Sequence, residues 1–461
     1  MKFDDTQYTL RIEALFRRHQ SVQNVGFVSS AYKPGLEAIA RLDKCLGSPA
    51  SRLKVIHVAG TNGKGTVCSM ISALLASCGL KIGLYTSPHL LDFRERIKCV
   101  EGSSSSMISK EEVWTFLDML DQMDGSDSYS FFEITTAMAF WWFDRQGMDC
   151  VLLECGLGGR LDSTNIVSPL LSVVTSIGLD HCAILGDTRA KIAAEKAGIF
   201  KRGIPALVAS SDEETRSIFE STAKDVDCPL YFADNMSVLM IENTNPPEGI
   251  HNNTQNGWAE LNARTVVSAL NILASEYANK SLVNAAKSLL SSLYSGDISS
   301  EAAYAWTHFA QITGLQARWM EKNVDGIRFI YDIGHNPPAL EKNMDRLAQL
   351  SSNGSIPVTI IYGIMADKDL DSISHILPSW ADYILVSPHN VRAMGVDALY
   401  ERLNSLRPEL RIRTMQSVAA AITWINTVTR VENLENKPAS NLRGIVYVGG
   451  STFVVSEALS L

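Results

Sequence analysis

A chain of 461 residues exceeds one ordinary hydrophobic core, since domains usually run about 100–200 residues, so two domains, one enlarged, are expected. With 46% hydrophobic and 20% charged residues and no apolar run near the ~20 residues of a membrane helix, the composition is that of a soluble globular protein without a membrane partner. The formal net charge of −9, with no Lys/Arg-rich run, excludes the electrostatic footprint of a nucleic-acid binder.

Met1 to Gln20 mixes charged and scattered apolar residues without an uninterrupted apolar core of a signal peptide, so a cytoplasmic protein is expected. The eight cysteines, from Cys45 to Cys228, never fall as Cys-x-x-Cys and read as reduced, mostly packed thiols. From Leu53 to Thr86 the pattern is strand, loop, helix, strand. Val55 to Val58 is rich in β-branched residues, Val67, Met70, Ile71, Leu74 and Leu75 recur at helical spacing, and Gly79 ends the helix. That βαβ unit implies a parallel sheet, to which the apolar runs Cys150 to Leu153 and Leu170 to Ile177 add strands. The Ser-rich stretch 103–106 and the acidic stretch 118–127 read as surface loops flanking a helix. Residues 294–307 lack a strong period, so a domain boundary is expected near residue 300. Beyond it, 327–331, 357–363 and 381–387 read as strands, a helix follows Pro337, another spans 418–426, and 444–450 is a last strand. The fold class is therefore α/β. A phosphate-loop, doubly wound parallel-sheet domain over 1–300 is followed by a smaller Rossmann-like α/β domain over 301–461.

Gly60-Thr61-Asn62-Gly63-Lys64-Gly65-Thr66 lies between a strand and a helix, where glycines let backbone N–H groups approach phosphate and the helix N-terminus adds positive potential. It departs from G-x-x-x-x-G-K-[ST] in its shorter spacing and the extra Gly65. Lys64 is expected to reach the β/γ-phosphates, and Thr66 or Thr61 to bond phosphate or metal. Glu154 stands at the carboxyl end of a buried parallel strand, where α/β sheets place ligand-binding residues, and a carboxylate there suits Mg²⁺. Ser87 and His181 also end strands, and Asp332 with His335 occupies a strand-to-helix turn in which Asn336 caps and Pro337 starts the helix. Taken alone, His181 reads as structural and Lys196 as a solvated helical lysine.

The sequence GTNGKGT followed by YTSPHLLDFRERI resembles the paired signature of folylpolyglutamate synthases and bifunctional dihydrofolate synthases, within the Mur ligase superfamily. LLECGLGGRLDSTN (152–165), SIGLDH (176–181), EKAGI (195–199), GLQARW (314–319), YDIGHNP (331–337), IYG (361–363) and DKD (367–369) resemble that family's segments in its order. The resemblance implies ATP as co-substrate with Mg²⁺, two ions, bound through Ser87, Glu154, His181 and a carbamylated Lys196. It also implies nucleotide contacts from Asn262, Arg318 and Asp332, with His335 near the phosphate. Lys33, Pro34, Gly35, Leu36, Phe132, Glu133, Arg160, Leu161 and Asp162 correspond to segments lining the family's folate-side cleft. Ala317 and Ile333 depart from the family pattern, which favours Gly before the arginine and a small residue after the aspartate.

The chemistry implied is phosphoryl transfer from ATP to an acceptor carboxylate, then attack of the L-glutamate amine on the acyl phosphate. Dihydropteroate and reduced folates are both expected acceptors, and a monomer is expected. The alternatives are a cell-wall Mur-type amino-acid ligase and a non-catalytic phosphate-loop nucleotide-binding protein.

Overall fold

The computed structural model describes residues 3–26, 33–235, 257–295, 299–435 and 444–461. It divides into two compact units, Met1–Leu315 and Gln316–Leu461. The division falls after Leu315 rather than near residue 300, because residues 300–313 form a helix of the first unit. In Ser300–Thr313 the buried residues Ala302, Ala305 and Ile312 pack on the helix that follows the phosphate loop, and small alanines leave little periodic signal in the sequence.

The first unit contains strands β1 (Val55–Ala59), β2 (Ile82–Tyr85), β3 (Ile97–Glu101), β4 (Ser104–Met107), β5 (Cys150–Glu154), β6 (Leu171–Val174), β7 (Ala206–Val208) and β8 (Leu230–Phe232). They form one sheet in the order β4-β3-β2-β5-β1-β6-β7-β8. All pairings are parallel except β2 with β3 and β3 with β4. The serine stretch expected as a loop is thus an edge strand, stabilised by its backbone ladder to β3 rather than by side-chain propensity. The first part of the acidic stretch likewise belongs to the helix Lys110–Asp121, where Asp118 and Asp121 pair with Arg11 at 2.7 and 2.5 Å.

β1, β2, β5 and β6 are buried at every position, as strands covered on both faces must be. Alternation sends Ile56 and Val58 to one core, with Val67, Ile71 and Leu74 of the helix Lys64–Ser77. Val55 faces the other, with Phe140, Trp142 and Phe143 of the helix Phe131–Gln146.

The second unit holds β9 (Met320–Val324), β10 (Ile327–Tyr331), β11 (Val358–Tyr362), β12 (Asp382–Leu385), β13 (Arg411–Thr414) and β14 (Ile445–Gly449), in the order β13-β12-β11-β14-β10-β9. Only β9 runs antiparallel to its neighbour. The helix Pro337–Leu350 begins as expected, with Asn336 accepting from the Ala339 amide at 3.1 Å and proline in its first turn. All eight cysteines are free. Among the described residues, no helix is long and apolar enough to cross a membrane.

Candidate functional site

β1 delivers the chain to Gly60 and the helix Lys64–Ser77 takes it up, with Gly63 at its N-cap. Gly60 has φ +147°, and a Cβ there would lie 1.8 Å from Thr175 Oγ1. Gly63 has φ +88°, and a Cβ there would lie 2.5 Å from Asn262 Oδ1. Glycine is therefore required twice, once for the approach of β6 and once for the buried Asn262 of the helix Gly257–Ile272. Gly60→Ala is expected to cost about 1–3 kcal/mol of stability, the range for overpacked sites, measured as a fall in melting temperature.

The loop is pinned from the end of β6. The Thr61 amide donates to the Ser176 carbonyl at 2.7 Å, the Asn62 amide to Ser176 Oγ at 3.2 Å, and Thr175 Oγ1 to the Asn62 carbonyl at 2.8 Å. Thr61 Oγ1 accepts from the Gly178 amide and donates to its carbonyl, both at 3.1 Å, so this hydroxyl is committed to the 176–181 segment. Thr175 and the Ser176 that opens SIGLDH carry no site role in the sequence, because a Ser or Thr at a strand end has no spacing signature.

Register sets the next groups beside the loop. Val58 pairs with Glu154 across β1 and β5, and Tyr85 pairs with Leu153 across β2 and β5, so Ala59, Glu154 and Ser87 emerge at one carboxyl edge. Glu154 is buried. Its Oε2 accepts from the Ser87 amide at 3.0 Å, and its Oε1 lies 4.0 Å from Lys64 Nζ. Gly65 leaves room for that carboxylate, since even a methyl there would sit 3.3 Å from Oε2.

Lys64 Nζ donates to the carbonyls of Gly60 and Thr61 at 3.1 and 3.3 Å. Lys196, in the helix Arg189–Ala197, donates to the same Gly60 carbonyl at 2.9 Å from a buried position. Burial, then the Lys64 charge, lowers the Lys196 pKa to about 7, against opposing effects of Cys155, Asp180 and Asp162. A lysine that composition alone reads as solvated is instead a buried amine on the phosphate loop. His181 stands at φ +53° at the start of the short helix Cys182–Leu185, its amide donating to Asp180 Oδ1 at 2.9 Å. It follows the Gly178 that holds Thr61.

Among the described residues no three His, Cys, Asp or Glu side chains converge as a metal cage. The hard oxygens of Glu154, Ser87 and Thr66 nonetheless fit Mg²⁺, which binds few protein ligands and keeps waters and substrate phosphates. These residues could hold it.

The groups expected on the acceptor side divide by what their polar atoms already do. Glu133 is buried, and its Oε2 accepts from the Ser130 amide and hydroxyl at 2.6 and 2.8 Å, closing a capping box that starts the helix Phe131–Gln146. Buried Asp162 accepts from the Leu157 amide at 2.8 Å and from the Thr164 amide and hydroxyl at 3.0 and 2.5 Å, which folds the 156–165 loop. For both carboxylates the physical task is local. Arg160 forms an exposed ion pair with Glu195 at 2.7 Å, and Leu161 beside it is half-buried. Lys33 Nζ donates to the Ser128 carbonyl at 2.5 Å, exposed Pro34 leads to Gly35 at φ +132°, and Leu36 packs on the aromatic core. Half-buried Phe132 packs over Gly156, where a Cβ would meet its ring at 2.5 Å. Phe131 is a core residue stacked on Phe16 at 5.0 Å.

In the 85–97 segment Ser87 is the one side chain with a role expected from sequence. There, buried Arg96 donates to His89 Nδ1 and Gln23 Oε1, both at 2.9 Å, and lies 5.5 Å over Phe131. Burial, then Arg96, pushes the His89 pKa well below its usual value, so His89 is a neutral acceptor.

In the second unit, exposed Arg318 lies between buried Ala317 and half-buried Trp319. Buried Asp332 accepts from the Trp319 and Gly334 amides, both at 2.7 Å. His335 Nδ1 lies 3.0 Å from the Ile333 carbonyl and is the donor, since a carbonyl only accepts. Ala317 has φ +54°, a left-handed conformation that accounts for glycine being usual there. Buried Ile333 donates its amide to the Ala317 carbonyl at 3.1 Å, so this second departure packs against the first.

Residues 58–237 match the Mur ligase middle domain and residues 317–432 the Mur ligase, glutamate ligase domain. The chain is 32% identical over 377 residues to the dihydrofolate synthase/folylpolyglutamate synthase of Bacillus subtilis, covering 76% of this chain and 81% of that protein. Its fold is similar to that of E. coli FolC in complex with DHPP and ADP, with a TM-score of 0.74 and 26% identity over 98% of this chain and 97% of that one. A bifunctional folylpolyglutamate synthase/dihydrofolate synthase with Mn, AMPPNP and L-glutamate bound is similar to the same degree: TM-score 0.74, 26% identity, 98% of this chain and 97% of that one. From the order of its motifs, its two α/β units and these likenesses, the chain belongs to the dihydrofolate synthase/folylpolyglutamate synthase family of the Mur ligase superfamily.

Proposed function

We propose that this protein is an ATP- and divalent-metal-dependent ligase that joins L-glutamate to dihydropteroate and to the γ-carboxylate of reduced folates. One observation carries the catalytic half: Lys64 and Lys196 meet on the Gly60 carbonyl of a glycine-built phosphate loop, with the Glu154 carboxylate 4.0 Å from Lys64. The acceptor half rests on family membership and on the relatives named above. A cell-wall ligase shares the phosphate loop, but Arg96 and His89, which hold Gln23, belong to the segment resembling the folate family. The carboxylate and two lysines at the loop weigh against a purely non-catalytic binder.

A carboxylate resists amine attack because the leaving group would be oxide. The first step is therefore transfer of the ATP γ-phosphoryl group to an acceptor carboxylate oxygen, giving an acyl phosphate and ADP. The amine of glutamate then attacks the acyl carbon, the C–O bond to phosphate breaks, and the amine proton leaves as the amide forms. Lys64 and the loop amides bind the phosphates, Asn262 and Arg318 hold the nucleotide, and Asp332 and His335 order the turn beside Arg318. Thr66 rather than Thr61 supplies a hydroxyl to phosphate or metal, since Thr61 is engaged with Gly178.

When bound by Ser87, Glu154 and His181, magnesium supplies charge neutralisation to the ATP phosphates. A second ion is proposed to need Lys196 as its carbamate, formed when the neutral amine adds carbon dioxide and releases a proton. The depressed pKa and burial of Lys196 support that reading. The test is ADP release with ATP, Mg²⁺, L-glutamate and either dihydropteroate or a reduced folate. Glutamate-dependent release with both acceptors is expected. Failure with both, alongside activity on a muramyl nucleotide, would select the cell-wall alternative.

A further inference from the structure

Arg318 projects from a segment that does not hold its shape by itself. Ala317 and Trp319, on either side, both have φ +54°, a region that costs a non-glycine residue roughly 1–2 kcal/mol and persists only where neighbours impose it. The neighbours that impose it lie in the 332–334 turn. On one side the Ala317 carbonyl accepts from the Ile333 amide at 3.1 Å. On the other the Trp319 amide donates to Asp332 Oδ2 at 2.7 Å, so Arg318 is bracketed by two bonds to one turn.

Asp332 is itself fixed from behind. Its Oδ1 accepts from Asn343 Nδ2 at 2.6 Å, and the same amide nitrogen donates to Tyr447 Oη at 3.0 Å. An amide nitrogen has two protons, so both contacts are met at once. The Trp319 ring is clamped as well: the Arg346 guanidinium lies 4.2 Å over its centroid, and its Nε1 donates to Glu321 Oε1 at 3.0 Å. Asn343 and Arg346 lie on the same helix, Pro337–Leu350, one facing the aspartate and the other the indole.

We propose that Asn343 and Arg346 are positioning residues for ATP use, which hold Asp332 and Trp319 so that the strained 317–319 segment presents the Arg318 guanidinium ready for the nucleotide. The proposal rests on the reading that Arg318 contacts ATP. Neither residue need touch substrate. Pre-organisation of this kind reduces the ordering cost of binding, so its loss raises the ATP requirement and spares the other two substrates.

The test is a double-mutant cycle in the full-length protein, reading the KM values for ATP, glutamate and acceptor. Arg318→Ala is expected to raise KM for ATP about ten- to a hundredfold, the worth of a contact to a charged group. Asn343→Leu is expected to raise it about five- to tenfold with the other KM values unchanged, and to add nothing further in the Arg318→Ala background. Arg346→Met, which acts from the other side of Trp319, provides a second cycle with the same expectation should Asn343→Leu fold poorly. If Asn343→Leu and Arg346→Met leave KM for ATP unchanged, or multiply it equally with and without Arg318, the proposal is overturned while the role of Arg318 stands. If Arg318→Ala has no effect on KM for ATP, the reading of Arg318 falls, and this inference with it.

Discussion

Lys64→Ala is expected to lower kcat/KM by about 10²–10³, the scale for removing one pre-organised electrostatic stabiliser. Lys64 opens the helix after the phosphate loop, and its ammonium is held 3.1 and 3.3 Å from the Gly60 and Thr61 carbonyls, on the loop proposed to bind the ATP phosphates. Its only ion pair among the described residues is the 4.0 Å approach to Glu154, so the substitution removes little that holds the fold. It also acts at a distance. The Lys64 charge is the second cause of the depressed Lys196 pKa, so without it Lys196 holds its proton more tightly and forms a carbamate less readily. Steady-state kinetics beside a melting curve separates the two effects: activity collapses while the fold persists. A Lys64→Ala protein with near-normal kcat/KM would remove the loop from catalysis.

Lys196→Ala is expected to lose activity on the same scale of about 10²–10³, because it deletes the amine that carries the proposed carbamate. The unsubstituted protein should lose activity in buffer stripped of carbon dioxide and regain it on adding bicarbonate, a response absent from the variant. Full activity in Lys196→Ala would end the carbamate reading. Stability gives an independent check with a definite sign. In carbon-dioxide-free buffer the folded Lys196 loses its proton near pH 7, whereas the unfolded lysine keeps it to about 10.4. Between those values the unfolded chain binds one proton more, so the contribution of Lys196 to stability rises with pH across that window. Below about 7 both states are protonated and the whole burial penalty is present, about 1.4 kcal/mol for each unit of depression. Lys196→Met should therefore stabilise the protein most at acid pH and flatten its stability between about pH 7 and about pH 10. An unchanged slope would show that the amine titrates normally.

The parts of the fold legible in the sequence are those where local and tertiary demands agree. β1, the glycine loop and the helix Lys64–Ser77 were readable because β-branched strand residues, glycines at positive φ and a helical apolar period coincide. Ser104–Met107 was not, since four residues with three serines become a strand only through the ladder offered by β3. Ser300–Thr313 was hidden because its first turns are buried through the small Ala302 and Ala305, with the larger Trp306, Phe309 and Ile312 coming only later in the helix.

The site divides in the same way. Glu154 was found by its place at a strand end, and Lys196 by its motif, yet its burial and its bond to the Gly60 carbonyl, far away in the chain, come only from the fold. Glu133 was assigned to the acceptor side although Ser130-x-x-Glu133 is a capping box readable from spacing, and its carboxylate is indeed used to cap the helix. The left-handed Ala317 and Trp319 could not be read at all, because nothing in their side chains favours that conformation and only the 332–334 turn and the helix behind it impose it.

In the proposed reaction this chain activates a folate-type carboxylate as its acyl phosphate and hands it to glutamate. The most direct measurement uses tetrahydrofolate carrying heavy oxygen in its γ-carboxylate, incubated with ATP, Mg²⁺, L-glutamate and the protein, with product and phosphate weighed by mass spectrometry. A folate longer by one glutamyl unit and one heavy oxygen in the released inorganic phosphate are expected. Unlabelled phosphate, or ADP release without an elongated folate, would contradict it.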